Sequence, residues 1–174
     1  MPIQVRPFQE SDLLSIVNYF YDASPEYLKG MGADHSKLPP KEEWLSLLQQ
    51  QLILPFPKKE NFYLIWELDG QAIGHNNINQ IQFGVQAFMH LHLWQNPNRQ
   101  KGLGTAFLQQ SIPQFFELFE LKRLYCEPFA ENPAPNRTLP KLSFQLEKSY
   151  ETIPGTINFH QRVNRWLLEK SQLR

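Results

Sequence analysis

An alternating run, Phe88-Met89-His90-Leu91-His92-Leu93-Trp94, leads into a basic, glycine-rich stretch, Arg99-Gln100-Lys101-Gly102-Leu103-Gly104. Beyond it, Leu108, Ile112, Phe115, Phe116 and Phe119 recur at helical spacing. Apolar alternation predicts a strand, and the later stripe predicts an amphipathic helix. A strand, a glycine loop and a helix start make an anion-binding order. The first N–H groups of a helix have no internal partners, and the helix dipole favours negative charge there. Gly102 and Gly104 carry no Cβ, so the backbone can approach a ligand closely. Arg99 and Lys101 add positive charge. The predicted guest is a phosphate or pyrophosphate.

Any such site has to be local. The chain of 174 residues holds 17 lysines and arginines against 17 aspartates and glutamates. No global field then attracts nucleic acid or an anionic membrane, and neither is expected as a partner. No apolar run is long enough to cross a bilayer. The start, Met1-Pro2-Ile3-Gln4-Val5-Arg6, lacks the pattern of a signal peptide. Cys126 is the only cysteine. It excludes an internal disulfide and suits a reducing compartment. The expectation is a cytoplasmic protein with one domain over residues 1–174, long enough to bury a core.

Residues 3–7 read as a strand ended by Pro7, and Ser11 as the N-cap of a helix carrying Leu13, Leu14, Val17 and Phe20. The segment 23–40, with Pro25, Gly30, Gly32, Pro39 and Pro40, reads as loop. Pro40 suits the first turn of a second helix bearing Trp44, Leu45, Leu48 and Leu52. Residues 62–68 and 71–81 read as strands around Asp69-Gly70, whose residues tolerate the positive φ of a tight hairpin. Pro113 is expected to kink the helix after the glycine loop. A short strand at 124–127, an irregular helix at 133–142 and strands at 144–152 and 156–165 complete the chain. The order is β-α-α-β-β-β-α-β-α-β-β, a mixed α/β fold with a mostly antiparallel sheet flanked by helices.

The loop does not fit the phosphate cradle of nucleoside triphosphatases, which needs Gly-Lys-Ser/Thr after four residues. Nor does it fit a dinucleotide fingerprint, because Phe107 stands where the third glycine belongs. Arg99-x-x-Gly102-x-Gly104 between strand and helix instead resembles the acetyl-CoA site of the GNAT superfamily of N-acetyltransferases. A second segment agrees: Asn132-Pro133-Ala134-Pro135-Asn136-Arg137, then Leu139 and Lys141-Leu142-Ser143-Phe144, is similar to the superfamily's Asn-x-x-Ser…Lys-Leu-Gly-Phe. Val5-Arg6-Pro7 with Ser11-Asp12, and the hairpin through Gly74, are similar too. The branch of ribosomal-protein N-terminal acetyltransferases is the nearest in flavour. Ser143 and Pro135 depart from the pattern, and Leu139 stands where many relatives carry a tyrosine that protonates the leaving thiolate.

The resemblance implies that an amine attacks acetyl-CoA directly, with acetyl-CoA as co-substrate, no metal, and a small-molecule or peptide amine as acceptor. It places the thioester oxygen on a backbone N–H freed by a bulge in the strand before the loop, here Leu93 with Trp94 next along. The pyrophosphate would rest on the N–H groups of Gln100, Lys101, Gly102, Leu103, Gly104 and Thr105, beside Arg99. Asn132, with Asn136 in the same motif, would contact the cofactor. Phe88 occupies the place where several relatives hold a catalytic glutamate. His90 and His92 share its face of the strand. His90 is the candidate base, and His92 is read as packing. His75 is a further candidate, and Tyr125, Cys126 and Tyr150 are the options for an acid. Tyr27, Met31, Asp34, Asn158 and Phe159 are candidate acceptor contacts, from the 23–40 segment and the last hairpin. Dimers are common in the superfamily, which leaves a homodimer open.

Two other readings stay open from residues alone. A non-catalytic acyl-CoA sensor would explain the lost tyrosine and glutamate. A zinc hydrolase could use His90 and His92, with His75, His160 or Glu127 as third ligand.

Overall fold

The computed structural model describes residues 2–94 and 102–173. Strands β1 (Ile3–Pro7), β2 (Asn61–Leu68), β3 (Gln71–Gln82), β4 (Gln86–Leu93), β5 (Arg123–Cys126), β6 (Gln145–Thr152) and β7 (Gln161–Glu169) form one sheet. Its order is β1-β2-β3-β4-β5-β7-β6. The β4–β5 pair is parallel and the other pairs are antiparallel. Helices α1 (Leu13–Tyr21), α2 (Pro25–Gly30), α3 (Lys41–Ile53), α4 (Leu103–Leu118) and α5 (Pro133–Thr138) flank it. The mixed, mostly antiparallel fold expected from the sequence is the one observed.

Local differences have identifiable causes. The segment read as loop contains α2, because Ser24 caps it by accepting from the N–H of Tyr27 and Pro25 fills its first position. Ser11 does not cap α1. Asp12 takes the N–H of Gln9 instead and receives both terminal nitrogens of Arg6, at 2.7 and 3.0 Å. The Nε of Arg6 reaches Glu67 at 2.7 Å, so one guanidinium fastens β1 to β2 and to the start of α1. Pro113 lies inside α4, which continues through it. The last connection runs longer than Pro154-Gly155, and β7 starts only at Gln161.

Alternation sorts the sheet's side chains onto two covered faces. On one, Phe62 packs on Phe115 and Phe119, and Trp66 stacks on Phe107 of α4 with centroids 5.1 Å apart. The Trp66 indole N–H is shared by Asn76 and Ser111, at 2.9 and 3.1 Å, which fixes α4 across two strands. On the other face, Tyr19 and Phe20 of α1 and Trp44 of α3 cover Tyr63, His75 and His92.

Candidate active site

The sheet opens at β4. Its parallel ladder with β5 covers Gln86, Ala87 and Phe88 against Arg123, Leu124 and Tyr125. Beyond Phe88 the two strands part: β4 goes on to Leu93 along β3, while the chain after β5 follows β7 through the Phe129–Val163 bridge. Trp94 donates its N–H to Ile73 at 2.8 Å, toward β3. Alternate residues of a strand point their N–H groups to opposite sides, so that of Leu93 faces the opening. The bulge expected near Leu93 is not there. The β3–β4 register is continuous from Gly74–Leu93 to Asn79–Phe88, and its irregularity lies at the other end, between Asn79 and Gln82.

The helix after β4 starts at Gly102, which caps α4 with φ 72°, ψ 1°. That conformation is open to glycine at little cost. Leu103, Gly104 and Thr105 form the first turn, and a Cβ built on Gly104 meets nothing within 4 Å. Arg99, Gln100 and Lys101 lie outside the described residues. In the second motif Asn132 is the N-cap residue of α5. Asn136 requires a correction. Its amide nitrogen donates to the carbonyls of Asn132 (2.7 Å) and Phe129 (3.0 Å), and its oxygen accepts from Asn164 (3.0 Å) and Trp166 (2.9 Å). Both ends of that amide are committed to joining α5 to β7.

The three histidines of the parting strands have different surroundings. His75 is fully buried, and its Nδ1 accepts the indole N–H of Trp94 at 2.7 Å. Burial pushes its pKa down to about 3. It anchors Trp94, and the base expected at this position is a packed core group. His92 packs on Tyr19 and Phe20, with its Nδ1 buried and unpartnered, which agrees with a packing role. His90 differs. Its Nε2 lies 3.0 Å from Oδ1 of Asn79. That oxygen can only accept, so Nε2 carries the proton and Nδ1 keeps its lone pair. Nδ1 makes no hydrogen bond among the described residues. Desolvation holds His90 down at about 4, and the charge of Glu127 opposes that shift.

Phe88, at the fork, stacks on Tyr125 with centroids 5.2 Å apart. Cys126 is buried, and desolvation pushes its thiol up to about 12, which leaves it no role as an acid. Tyr150 donates its hydroxyl to Glu127 Oε1 at 2.5 Å and accepts from Arg165 at 2.9 Å. Burial and the hydrogen bond to Glu127 raise its pKa. Leu139 is fully buried.

The acceptor candidates do meet. Asp34 donates its N–H to Ile157, Ala33 bridges Asn158, and Asn158 and Gln161 both donate to the carbonyl of Gly32, at 2.8 and 2.7 Å. The α2 segment is thereby tied to the β6–β7 connection. Tyr27 hydrogen-bonds Tyr19 at 2.9 Å, and Tyr19 reaches Met31 Sδ at 3.2 Å. Phe159 packs edge-on against Phe129. Oδ1 of the Asp34 carboxylate takes the N–H and hydroxyl of Ser36 and caps a turn. The Asn158 amide is spent on Gly32 in the same way. Sequence reasoning passed over Gln161 and gave Glu127 only as a possible third zinc ligand; strand register sets Glu127 beside Arg165 and Gln161 beside Gly32. Among the described residues, no three histidine, cysteine, aspartate or glutamate side chains are grouped to hold a metal ion.

A family model described as acetyltransferase (GNAT) domain matches residues 3–145. The chain belongs to the GNAT acetyltransferase family. It is an acyltransferase with acetyl-CoA as co-substrate. Solved structures share the fold of this GNAT chain. Spermidine N-acetyltransferase from Vibrio cholerae, in complex with CoA and spermine, superposes with TM-score 0.78 at 16% identity, covering 98% of this chain and 96% of its own. RimL, a ribosomal alpha-N-protein acetyltransferase in complex with coenzyme A, gives TM-score 0.77 at 15% identity, over 96% and 93%. The putative acetyltransferase yncA from Salmonella typhimurium, with acetyl-CoA, gives 0.73 at 14%, over 97% and 94%. No curated protein sequence matches the GNAT chain.

Proposed function

We propose that the protein transfers the acetyl group of acetyl-CoA directly to a primary amine, with His90 as general base. The parting of β4 from β5 beyond Phe88 carries the reading. It opens a strand edge to a pantetheine arm, ahead of a glycine-capped helix start that suits a pyrophosphate. The thioester is read against the end of β4, at Leu93 and Trp94, where a fixed backbone donor would meet its oxygen. Gly102, Leu103, Gly104 and Thr105, with Arg99, Gln100 and Lys101, receive the diphosphate, and Asn132 flanks the arm. With Nε2 on Asn79, His90 keeps Nδ1 as its acceptor nitrogen, and the charge of Glu127 opposes the desolvation that lowers its basicity. Tyr27, Met31 and Phe159 bound the acceptor side. The leaving thiolate takes its proton from water or the imidazolium, because Leu139 has none to give and Tyr150 is committed to Glu127. The single buried, free Cys126 suits a cytoplasmic location. Exposed Leu146 and Ile153, at and beside the edge strand β6, suit a homodimer, which light scattering tests.

Calorimetry with acetyl-CoA and thiol release with a panel of primary amines test the central claim. Gly104→Trp is expected to fold, since a Cβ at that position meets nothing within 4 Å among the described residues, and to lose acetyl-CoA binding. His90→Ala is expected to keep that affinity within about twofold and to lower kcat by about 10²- to 10⁴-fold. Full activity in His90→Ala would remove the base assignment. Binding without turnover of any amine by the unsubstituted chain would favour an acyl-CoA sensor.

A further inference from the structure

We propose that Glu127 is the docking group for the acceptor's ammonium: its Oε2 holds the charged amine across the β4–β5 opening and presents it to Nδ1 of His90. The inference rests on the acetyltransferase reading and extends it to a residue that reading does not use.

Register makes the juxtaposition. Phe88 and Tyr125 are the last pair of the parallel ladder. His90 and Glu127 each follow two residues on, so they share the face of that pair and flank the gap where the strands separate. The two sense each other electrostatically, since the Glu127 charge acts on His90. Glu127 is held before any ligand arrives. Its Oε1 receives Nε of Arg165 and the hydroxyl of Tyr150. The Arg165 guanidinium is itself fixed between rings, 5.5 Å from the Phe88 centroid and 5.3 Å from those of Tyr125 and Tyr150. Oε2 makes no hydrogen bond among the described residues. The Glu127 side chain is only 10% exposed. A carboxylate oriented on one oxygen and open on the other, at the edge of a partly dry gap, is a receptor for one N–H donor of positive charge.

The chemistry calls for such a group. A primary aliphatic amine has a pKa of about 10 and reaches the site as ammonium. It needs a negative partner on entry and a base on reaction. On this proposal an ammonium N–H bond breaks and the proton passes to His90 Nδ1, where Glu127 faces the imidazolium formed. The freed lone pair attacks the thioester carbon, and the nitrogen sheds its second proton to water as the C–S bond breaks. The thiolate takes the imidazolium proton, and the cycle releases one proton overall. One carboxylate beside the rings of Phe88, Tyr125 and Tyr150 fits a single ammonium carried on an apolar body.

Phenethylamine and its neutral counterpart 2-phenylethanol isolate the charge. Their affinities for the CoA-loaded chain are measured by calorimetry at pH 7, with Glu127→Gln and Tyr150→Phe as variants. The unsubstituted chain is expected to prefer the amine at least tenfold. Glu127→Gln should abolish that preference while acetyl-CoA affinity stays unchanged, with a lower melting temperature because Arg165 loses its charged partner. Tyr150→Phe, which leaves Oε2 untouched, should keep the preference within threefold. No preference in the unsubstituted chain, or an equal preference in Glu127→Gln, overturns the proposal. Loss of acetyl-CoA binding by the unsubstituted chain would instead overturn the acetyltransferase reading.

Discussion

Ser143 occupies the left-handed region, with φ 68° and ψ 9°, at the end of the turn that follows α5. The superfamily pattern puts glycine there, and the backbone shows why. A side chain in that region crowds its own carbonyl at a cost of about 1 kcal/mol, and glycine avoids the clash. Ser143→Gly is expected to stabilise the fold by about 0.5–1 kcal/mol, raising the melting temperature by roughly 2–3 °C. An unchanged or lower melting temperature would show that the serine side chain gives back what the backbone loses. The same turn buries Leu139 completely, so the leucine in place of tyrosine is a core residue by its surroundings as well as by its chemistry.

At the scale of elements, the position of β4 depends on what stands opposite it. Gly74 pairs with Trp66 on one side and Leu93 on the other. A Cβ there would lie 2.6 Å from the carbonyl oxygen of His92 and 3.2 Å from both the Leu93 Cα and the Trp66 ring. The Trp66 indole is pinned by Asn76 and Ser111 and cannot withdraw. Gly74→Ala must therefore push the His92–Leu93 backbone. It is expected to destabilise by about 1–3 kcal/mol and to raise the KM for acetyl-CoA more than it lowers kcat. Urea denaturation and steady-state kinetics measure the two effects, and a variant with normal stability and KM would show that β4 yields freely at this point. The hairpin that delivers Gly74 was legible in the sequence. Asp69 and Gly70 have φ 51° and 79°, as a two-residue turn requires.

For the molecule as a whole, buried imidazoles set the response to acid. In the unfolded chain a histidine titrates near 6.5. In the fold burial brings His75 to about 3 and His90 to about 4, and puts His92 well below its ordinary value. Between those limits the unfolded chain binds protons that the folded chain refuses. Stability thus rises with pH in this window and is lost as pH falls below about 6.5. Each such histidine contributes a slope approaching about 1.4 kcal/mol per pH unit. The urea midpoint is expected to fall between pH 7 and pH 5, above the range where most carboxylates titrate. A flat midpoint across that interval would mean that the histidines gain charged partners on folding.

Apolar period, turn residues and the two GNAT-like segments were enough to read the mixed, mostly antiparallel fold and the order of its strands. Those features depend on local rules, and local rules are written in consecutive residues. The α2 helix escaped because its proline and glycine are shared with loops, and only the Ser24 cap separates the two cases. The commitments of side chains lay beyond reach. Nothing near His75 announces that Trp94 will occupy its Nδ1, and nothing near Asn136 announces Asn164 and Trp166. Glu127 met Arg165 and Tyr150 only when the strands took their register. Sequence alone determined which chemistry this chain could carry. Tertiary structure decided which hydrogen-bond partner each histidine takes, because those partners come from residues far away along the chain.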